Sequence, residues 1–304
     1  MIKHLSLFSG IGGASSALKQ ANKNFFTIGM SETNPRSERI YREIHGMVGP
    51  VNEGDIIAFS NDVERLRFYA INEKPDLITG GFPCQPFSLM NLKKKEHLED
   101  DVRFQAALAM RKIVNTLQPK YVLLENVSAI MTKTYWPRIK QFLDGFHNYN
   151  YIIDQANPKD YGYHQSRGRV YILMSRKDVE SWTPGTMVNR KRSFKFDANP
   201  PKDQYYVIYP PRVEKDVDRS DPAFACLAAR SCDAHCSRFT WIPERSFHRS
   251  PTPNELFQLF GYKKYPNIKL KSRGGISRSS IYHGFGNSWH IGHAASHMKT
   301  LPIG

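Results

Sequence analysis

One cysteine in the first half of the chain is placed as a nucleophile would be. Cys84 stands between two prolines in the run Gly80-Gly81-Phe82-Pro83-Cys84-Gln85-Pro86-Phe87-Ser88. A lone cysteine is most often a small buried apolar residue, but Pro-Cys-Gln-Pro is poor sequence for packing into a core. Because prolines restrict the backbone on both sides of the thiol, the loop suits a positioned nucleophile. We therefore predict covalent chemistry at Cys84.

A carboxyl group and two guanidinium groups are candidates for acid–base work and charge stabilisation. Glu125 directly follows the apolar run Tyr121-Val122-Leu123-Leu124, so we expect it at the carboxyl end of a strand, where open α/β sheets bind ligands. Partial burial there would raise its pKa, whereas a solvated or helix-capping glutamate is the plainer interpretation. Arg167 and Arg169 occupy alternate positions before another apolar run. Both could point at one site and stabilise charge or hold a phosphate, although basic residues at a strand entrance are also ordinary.

A glycine-rich turn near the N-terminus is a candidate cofactor loop. The run Leu5-Ser6-Leu7-Phe8-Ser9-Gly10-Ile11-Gly12-Gly13 puts three glycines between a predicted strand and a predicted helix. Such a turn lets a ligand approach the backbone and the helix N-terminus, although a tight structural turn explains it equally well. Glu32, just after the second predicted strand, stands where a carboxylate can bind ribose hydroxyls. Asp55 could accept a hydrogen bond from an adenine amino group. Taken singly, each acid is more often a solvated surface residue.

Strand-like and helix-like patterns alternate along the first 177 residues, as expected for elements that present these groups at one sheet edge. Alternation of this kind predicts an α/β fold whose mainly parallel sheet is covered by helices on both faces. The predicted strands are residues 5–8, 25–30, 76–79, 121–124 and 169–174, and the predicted helices are residues 14–21, 36–45 and 104–117. Residues 178–250 are rich in Pro, Arg, Lys and Ser and show little periodicity, which indicates a small irregular module with a basic surface. A further helix is predicted at 253–260, and Gly284-Phe285-Gly286-Asn287-Ser288 is predicted to be turn-rich.

The composition favours an anionic partner. Lys and Arg number 43 against 28 Asp and Glu, for a net charge of +15, and this balance favours nucleic acid ahead of a membrane. Four cysteines in 304 residues do not make a disulfide scaffold, and no apolar run is long enough to span a membrane. The glycines of the N-terminal run interrupt any signal-peptide core. We expect a cytoplasmic protein.

Six motifs in order resemble the C5-cytosine-specific DNA methyltransferase family. They are Phe8-Ser9-Gly10-Ile11-Gly12-Gly13, Gly81-Phe82-Pro83-Cys84-Gln85, Glu125-Asn126-Val127, Gln165-Ser166-Arg167-Gly168-Arg169, Arg249-Ser250-Pro251-Thr252-Pro253-Asn254-Glu255 with Gly261-Tyr262, and Phe285-Gly286-Asn287-Ser288. The resemblance implies the Rossmann-like fold of methyltransferases that use S-adenosyl-L-methionine. It implies a catalytic domain at 1–177, a target-recognition domain at 178–275, and a segment at 276–304 that returns to pack beside the first strand.

The resemblance also implies a covalent mechanism on a cytosine flipped out of double-stranded DNA. Cys84 would add to C6 and make C5 electron-rich, Glu125 would hydrogen-bond N3 and the amino group, and Arg167 and Arg169 would brace the base and favour the thiolate. Residues 89–103 would form a mobile loop that closes over the DNA. The implied cofactor-binding residues are Phe8, Gly10, Ile11, Gly12, Gly13, Glu32, Asp55, Ile56, Pro83, Asn287 and Ser288.

The sequence departs from the family pattern at three places, none of which removes a group that the chemistry needs. Ser6 stands where many members carry an acid, Asp101-Val102-Arg103 lacks the usual following residues, and Pro251 replaces a leucine. Cys226, Cys232 and Cys236 contain no CxxC pair, so we interpret them as free thiols and predict no metal site.

Two other functions fit the same sequence. Transfer-RNA cytosine methylation is disfavoured because no Cys-Phe-Thr tripeptide occurs and because the recognition segment is large. A catalytically silent DNA-binding relative would be expected to have lost Cys84 or Glu125. The resemblance leaves open a cognate restriction endonuclease and a restriction-modification role. We expect a monomer.

Overall fold

A computed structural model describes residues 1–46, 49–83, 101–190, 192–195, 240–242, 247–249, 251–264 and 276–303. Its strands are β1 (Ile2–Leu7), β2 (Phe25–Ser31), β3 (Val51–Asn52), β4 (Leu77–Gly80), β5 (Tyr121–Val127), β6 (Tyr149–Ala156), β7 (Arg169–Arg176), β8 (Thr240–Ile242) and β9 (Phe247–Arg249). Its α-helices are α1 (Gly13–Gln20), α2 (Pro35–His45), α3 (Ile56–Asn61), α4 (Val63–Phe68), α5 (Val102–Leu117), α6 (Trp136–Asp144), α7 (Pro253–Leu259), α8 (Arg278–Gly286) and α9 (Ile291–Thr300).

Seven of these strands form one sheet in the order β3-β2-β1-β4-β5-β7-β6. The pairs from β3 to β5 are all parallel, whereas β7 runs antiparallel to both β5 and β6. The predicted mixed α/β fold with a mainly parallel sheet is therefore confirmed. The β5–β7 register sets Glu125 opposite Tyr171 and Val127 opposite Arg169, so the entrance of β7 lies at the carboxyl end of β5.

Both faces of the sheet are buried, as the apolar strands predict. Successive residues of β5 alternate between two cores. Tyr121 and Leu123 belong to a core with helices α1, α8 and α9, whereas Val122 and Leu124 belong to a core with α3, α5 and α6. The site is thus built on a strand that is held from both sides.

Helix starts follow from local capping chemistry. Asn34 caps α2 by accepting from the Arg36 N–H, with Pro35 in the first turn. Asp55 caps α3, and α7 begins with a capping box of Thr252 and Glu255. Helix α1 begins differently, at the left-handed Gly12 with no side-chain cap, which leaves its first N–H groups without a side-chain partner.

The C-terminal helix packs against the N-terminal one. Helix α9 contacts α1, and the Lys23 Nζ donates to the carbonyl of Leu301 at 2.8 Å. The Trp182 indole donates to the carbonyl of His297 at 3.0 Å. Two parts of the chain separated by more than 250 residues therefore share one core.

The turn predicted at residues 284–288 is wrong in part, because Gly284 to Gly286 are helical in α8. Tight packing explains the glycine at 284: an added Cβ would lie 2.6 Å from Ile11 Cγ2. Glycine is unfavourable inside a helix, but the close approach of α8 to Ile11 leaves no room for a larger residue at this position.

Several predictions lie outside the described residues. They concern Cys84, most of the loop 89–103, the three later cysteines and much of the segment 178–275. Within the described part of the chain, none of the helices combines the length and apolarity of a membrane-spanning segment.

Candidate active site

Three strands and the entrance of a fourth converge at one sheet edge. β1, β4 and β5 are parallel and end at Leu7, Gly80 and Val127, and antiparallel β7 starts beside them at Arg169. The carboxyl edge of an open parallel sheet is where such folds bind ligands. The residues that follow these strands therefore share one location.

Glu125 forms a buried ion pair with Arg169. The Arg169 Nε lies 2.8 Å from Glu125 Oε1, and each side chain is only 10% exposed. Burial raises the pKa of Glu125, and the positive charges of Arg169 and Arg167 oppose that rise without cancelling it. A raised pKa favours the protonated form of the carboxyl group, which is the form that can donate a hydrogen bond to a ring nitrogen.

Glycine at position 81 lets the backbone pass close to this carboxyl group. An added Cβ would lie 3.5 Å from Glu125 Oε2 and 3.1 Å from Trp289 Nε1. The second distance is tighter than an ordinary contact, so a larger residue would push the indole ring. Gly81 thus makes room between Glu125 and the C-terminal segment.

Asn126 anchors the chain just before Cys84. Its buried amide donates to the carbonyl of Phe82 at 3.1 Å, while its oxygen accepts from the Val127 N–H at 2.8 Å. The Phe82 ring packs on Phe142, with centroids 5.3 Å apart. The segment that carries Cys84 therefore departs from a fixed point beside Glu125.

A polar cavity lies against the end of β1. Its walls come from the glycine turn, β4, Glu125 and the C-terminal segment: Ser6, Leu7, Phe8, Ser9, Gly10, Gly13, Ala14, Thr79, Gly81, Glu125, Asn287, Ser288 and Trp289. Phe8 and Gly10 both have left-handed backbones, with φ of 51° and 54°. Left-handed Phe8 is uncommon for a residue with a side chain, and such strain is concentrated at functional sites.

Glu32 lies behind the cavity wall. Its carboxylate accepts from the Gly10 N–H at 2.8 Å and from the Asn34 N–H at 2.7 Å. Burial raises the pKa of Glu32, and these backbone hydrogen bonds counteract the rise. Glu32 therefore fixes the glycine turn, whichever ligand group the turn receives.

One hydroxyl group on the cavity wall lacks a partner. Ser288 is 4% exposed, and within the described residues its Oγ makes no hydrogen bond. Buried polar atoms are normally satisfied, so an unpaired hydroxyl on a cavity wall fits a polar ligand there. Glycine at position 13 accommodates it, since an added Cβ would lie 3.1 Å from Ser288 Oγ.

The family model described as C-5 cytosine-specific DNA methylase matches residues 2–220. The chain belongs to this family. The orphan methyltransferase M.SPRI of Bacillus phage SPR is 28% identical over 187 residues, covering 60% of this chain and 40% of the phage protein. The type II methyltransferase M.NgoPII of Neisseria gonorrhoeae is 30% identical over 195 residues, covering 62% of this chain and 53% of its own. The chain spans about half the length of the curated relatives it matches.

The family fold is also found in solved structures. The Schizosaccharomyces pombe Dnmt2 methyltransferase superposes with a TM-score of 0.71 at 20% identity, over 99% of this chain and 98% of that one. This likeness establishes the fold, and together with the family it implies the use of S-adenosylmethionine.

The structure divides the residues predicted to bind cofactor. Phe8, Gly10, Gly13, Asn287 and Ser288 line the cavity. Ile11 and Ile56 are buried in the two hydrophobic cores instead, Gly12 starts α1, and Asp55 is an exposed helix cap. Pro83 is half-buried beside the described end of the Cys84 loop.

Sequence reasoning missed Thr79, Asn126 and Trp289 as site residues. Trp289 directly follows the recognised Asn287-Ser288 motif, and Asn126 follows Glu125, so their positions carried a signal. Thr79 offers none, since a threonine at the end of a strand is common.

Asp154, His293 and His297 place three potential metal ligands within 4.8 Å of one another. The Gly185 N–H donates to His297 Nδ1 at 3.1 Å, so the proton of a neutral ring lies on Nε2, which is 3.4 Å from Asp154 Oδ2. His293 Nε2 is 2.9 Å from the same oxygen. A metal-bound histidine normally donates from its other nitrogen, and His297 does the reverse. These directions favour two imidazoles donating to one carboxylate, which hold the pKa of Asp154 well below its usual range.

Proposed function

We propose that this chain methylates carbon 5 of cytosine in double-stranded DNA, with S-adenosylmethionine as the methyl donor and Cys84 as the covalent nucleophile. The observation that carries the proposal is the buried Glu125–Arg169 pair. Its glutamate lines a polar cavity and lies next to Phe82, the anchored residue that precedes the Cys84 segment. Family membership supplies the reaction class.

The cavity fits the methyl donor on its own chemistry. The left-handed glycine turn leaves room for a ligand to approach the backbone, and Glu32 holds that turn in place. The buried Ser288 hydroxyl can form a hydrogen bond with a polar atom of the ligand. We assign Phe8, Gly10, Gly13, Asn287 and Ser288 to its binding. When bound, the donor supplies an electrophilic methyl group on a positively charged sulfur.

The residues of this chain then have separate tasks. The Cys84 thiolate adds to C6 of the base, which moves electron density to C5, while Glu125 donates a hydrogen bond to N3 and offsets the developing charge. C5 would then take the methyl group, with S-adenosylhomocysteine leaving as the neutral thioether, and transfer of the C5 proton to solvent would return the electron pair that expels Cys84. Arg169 holds the Glu125 carboxyl group in place at 2.8 Å.

A duplex hides these atoms, so the cytosine must leave the base stack. The net charge of +15 supports a DNA partner, and we assign the segment 178–275 to target recognition. The packing of α9 on α1 supports a discontinuous catalytic domain of 1–177 and 276–304.

A duplex carrying 5-fluorocytosine tests the covalent step, because fluorine cannot leave as the proton does. We expect a denaturant-resistant protein–DNA adduct that forms only with S-adenosylmethionine. The adduct should vanish in Cys84→Ser and persist in the matched control Cys226→Ser. An adduct that survives Cys84→Ser would remove Cys84 from the mechanism. Labelled methyl transfer to transfer RNA but not to duplex DNA would overturn the assignment of substrate.

A further inference from the structure

Arg167 and Arg169 are two residues apart in the sequence but contact different parts of the site. Arg169 pairs with Glu125, whereas Arg167 contacts the C-terminal segment. We propose that Arg167 is a positioning residue for the methyl donor, because it holds the backbone that presents Ser288 to the cavity. The inference rests on the proposed function. It assigns to Arg167 a task distinct from the bracing of Glu125 by Arg169.

The guanidinium group of Arg167 clamps two carbonyl groups at the end of α8. Its Nη2 donates to the carbonyl of Gly286 at 2.9 Å and to that of Ser288 at 2.7 Å. The last carbonyls of a helix lack partners within the helix and carry partial negative charge. A buried cation at this point therefore fixes the turn by which the chain leaves α8 and enters the cavity wall.

Arg167 is itself held from two directions. Its backbone N–H donates to Asn157 Oδ1 at 2.9 Å, and its guanidinium carbon lies 5.0 Å from the centroid of Phe260. The side chain is 2% exposed. A guanidinium group held in this way stays in one position, and its two hydrogen bonds hold the carbonyls of Gly286 and Ser288 in place.

The turn that Arg167 clamps carries a free ligand-binding group. The Ser288 hydroxyl is buried, has no partner among the described residues and lines the cavity beside Gly13. A displaced Ser288 carbonyl would move this hydroxyl by the same amount. Loss of the clamp should therefore weaken cofactor binding more than it slows the chemical step.

Arg167→Lys is the informative substitution, because an ammonium group keeps the charge but the shorter side chain cannot place a donor where Nη2 lies between the two carbonyls. We would measure the Kd of S-adenosylhomocysteine by calorimetry, and KM and kcat for S-adenosylmethionine with duplex DNA. We expect Kd and KM to rise about tenfold, the size expected for a lost charge-assisted hydrogen bond. Any fall in kcat should be smaller. Arg169→Lys should show the converse split, with kcat reduced and Kd nearly unchanged.

Arg176→Lys is the matched control, because Arg176 lies at the end of β7 that is remote from the cavity and pairs with Asp178. It should leave the Kd unchanged. Ser288→Ala gives a second test: it should weaken binding several-fold, about the size of one neutral hydrogen bond, and the same change should cost less in Arg167→Lys. If Arg167→Lys fails to fold, Asn157→Ala replaces it, because this change removes the acceptor of the Arg167 N–H without altering Arg167 itself; it should raise Kd with a smaller effect on kcat.

The outcomes separate the two proposals. Wild-type protein that binds neither S-adenosylmethionine nor S-adenosylhomocysteine would overturn the proposed function. Wild-type binding with an unchanged Kd in folded Arg167→Lys would overturn the positioning role alone. A lower kcat with unchanged Kd would place Arg167 on the base side with Arg169, and would also overturn it.

Discussion

At the scale of single residues, opposing electrostatic effects act on the Glu125 carboxyl group. Burial raises its pKa, and the charge of Arg169 at 2.8 Å opposes the rise. Burial prevails, so the protonated form is more favoured than that of an exposed glutamate. Under the proposed function, this is the form that donates a hydrogen bond to N3 of the base.

Replacing Glu125 by Gln keeps the shape but removes the acid. We expect kcat to fall by roughly 10²–10⁴, the usual contribution of a positioned acid–base group, with little change in DNA affinity. Methyl transfer and DNA binding would be measured in parallel, with the exposed Glu64→Gln as control. Near-normal turnover in Glu125→Gln would mean that the buried pair is only structural.

The pH dependence of kcat follows from the same group. Because the pKa of Glu125 is raised above its ordinary 4.5, the protonated form persists above that pH and is lost as the pH rises through the shifted value. Activity that needs this proton should therefore fall as the pH rises through that value. The falling limb should be absent from the residual activity of Glu125→Gln. If both proteins show the same falling limb, another group causes it.

At the scale of elements, the segment after β7 is seated directly on α9. The Ser296 hydroxyl donates to the carbonyl of Gly185, and an added Cβ on Gly185 would overlap the backbone carbonyl of Ser296. We expect Gly185→Ala to cost about 1–3 kcal/mol in the free energy of unfolding, as overpacking typically does. Gly49→Ala, with its nearest neighbour at 3.5 Å, should stay within about 0.5 kcal/mol. If urea unfolding showed that Gly185→Ala is as stable as the wild type, close packing of this segment on α9 would be contradicted.

Strands with continuous apolar runs were predictable from the sequence, whereas β6 and α8 are among the elements that were not. β4 and β5 are buried on both faces, so their composition is distinctive. β6 is an edge strand with alternating exposure, and its tyrosines and asparagine hide the pattern. α8 was missed because Gly284 and Gly286 indicate a turn, whereas close contact with Ile11 requires the glycine at 284.

Some features of the candidate site were likewise predictable from the sequence, and others were not. Glu125 and the glycine turn could be placed because each follows a strand, and parallel strands end at one edge. The partners of Arg167 could not, because its bonds to Gly286 and Ser288 span 119 and 121 residues of sequence. Separations of that length are fixed by tertiary packing, for which local pattern carries no information.

At the scale of the whole molecule, a chain of buried polar groups crosses the core between the strands. His4 is fully buried on β1, with Nδ1 3.1 Å from Thr27 Oγ1 and Nε2 2.8 Å from Thr79 Oγ1. Thr79 also lines the cavity. The hydrogen bonds of one histidine thus join three neighbouring strands beneath the site, and burial in the core disfavours a charged ring.

Acid should therefore destabilise the fold through its histidines. Burial lowers the pKa of His4 from 6.5 to about 3 and that of His45 to about 4. Below pH 6.5 the unfolded chain binds protons at these two histidines, whereas the folded chain does not. The stability that is present above pH 6.5 is therefore lost as the pH falls toward the lowered pKa values. Each group contributes a slope of about 1.4 kcal/mol per pH unit.

His4→Gln removes one of these two protons while retaining a donor and an acceptor. Urea unfolding between pH 6.5 and 4 should show a pH dependence that is shallower by about 1.4 kcal/mol per unit than in the wild type, whatever the stability at neutral pH. The exposed His147→Gln serves as the control and should keep the wild-type slope. An unchanged slope in His4→Gln would mean that His4 is protonated in the folded protein, and that the polar chain between β2, β1 and β4 is held by a charge instead of a neutral ring.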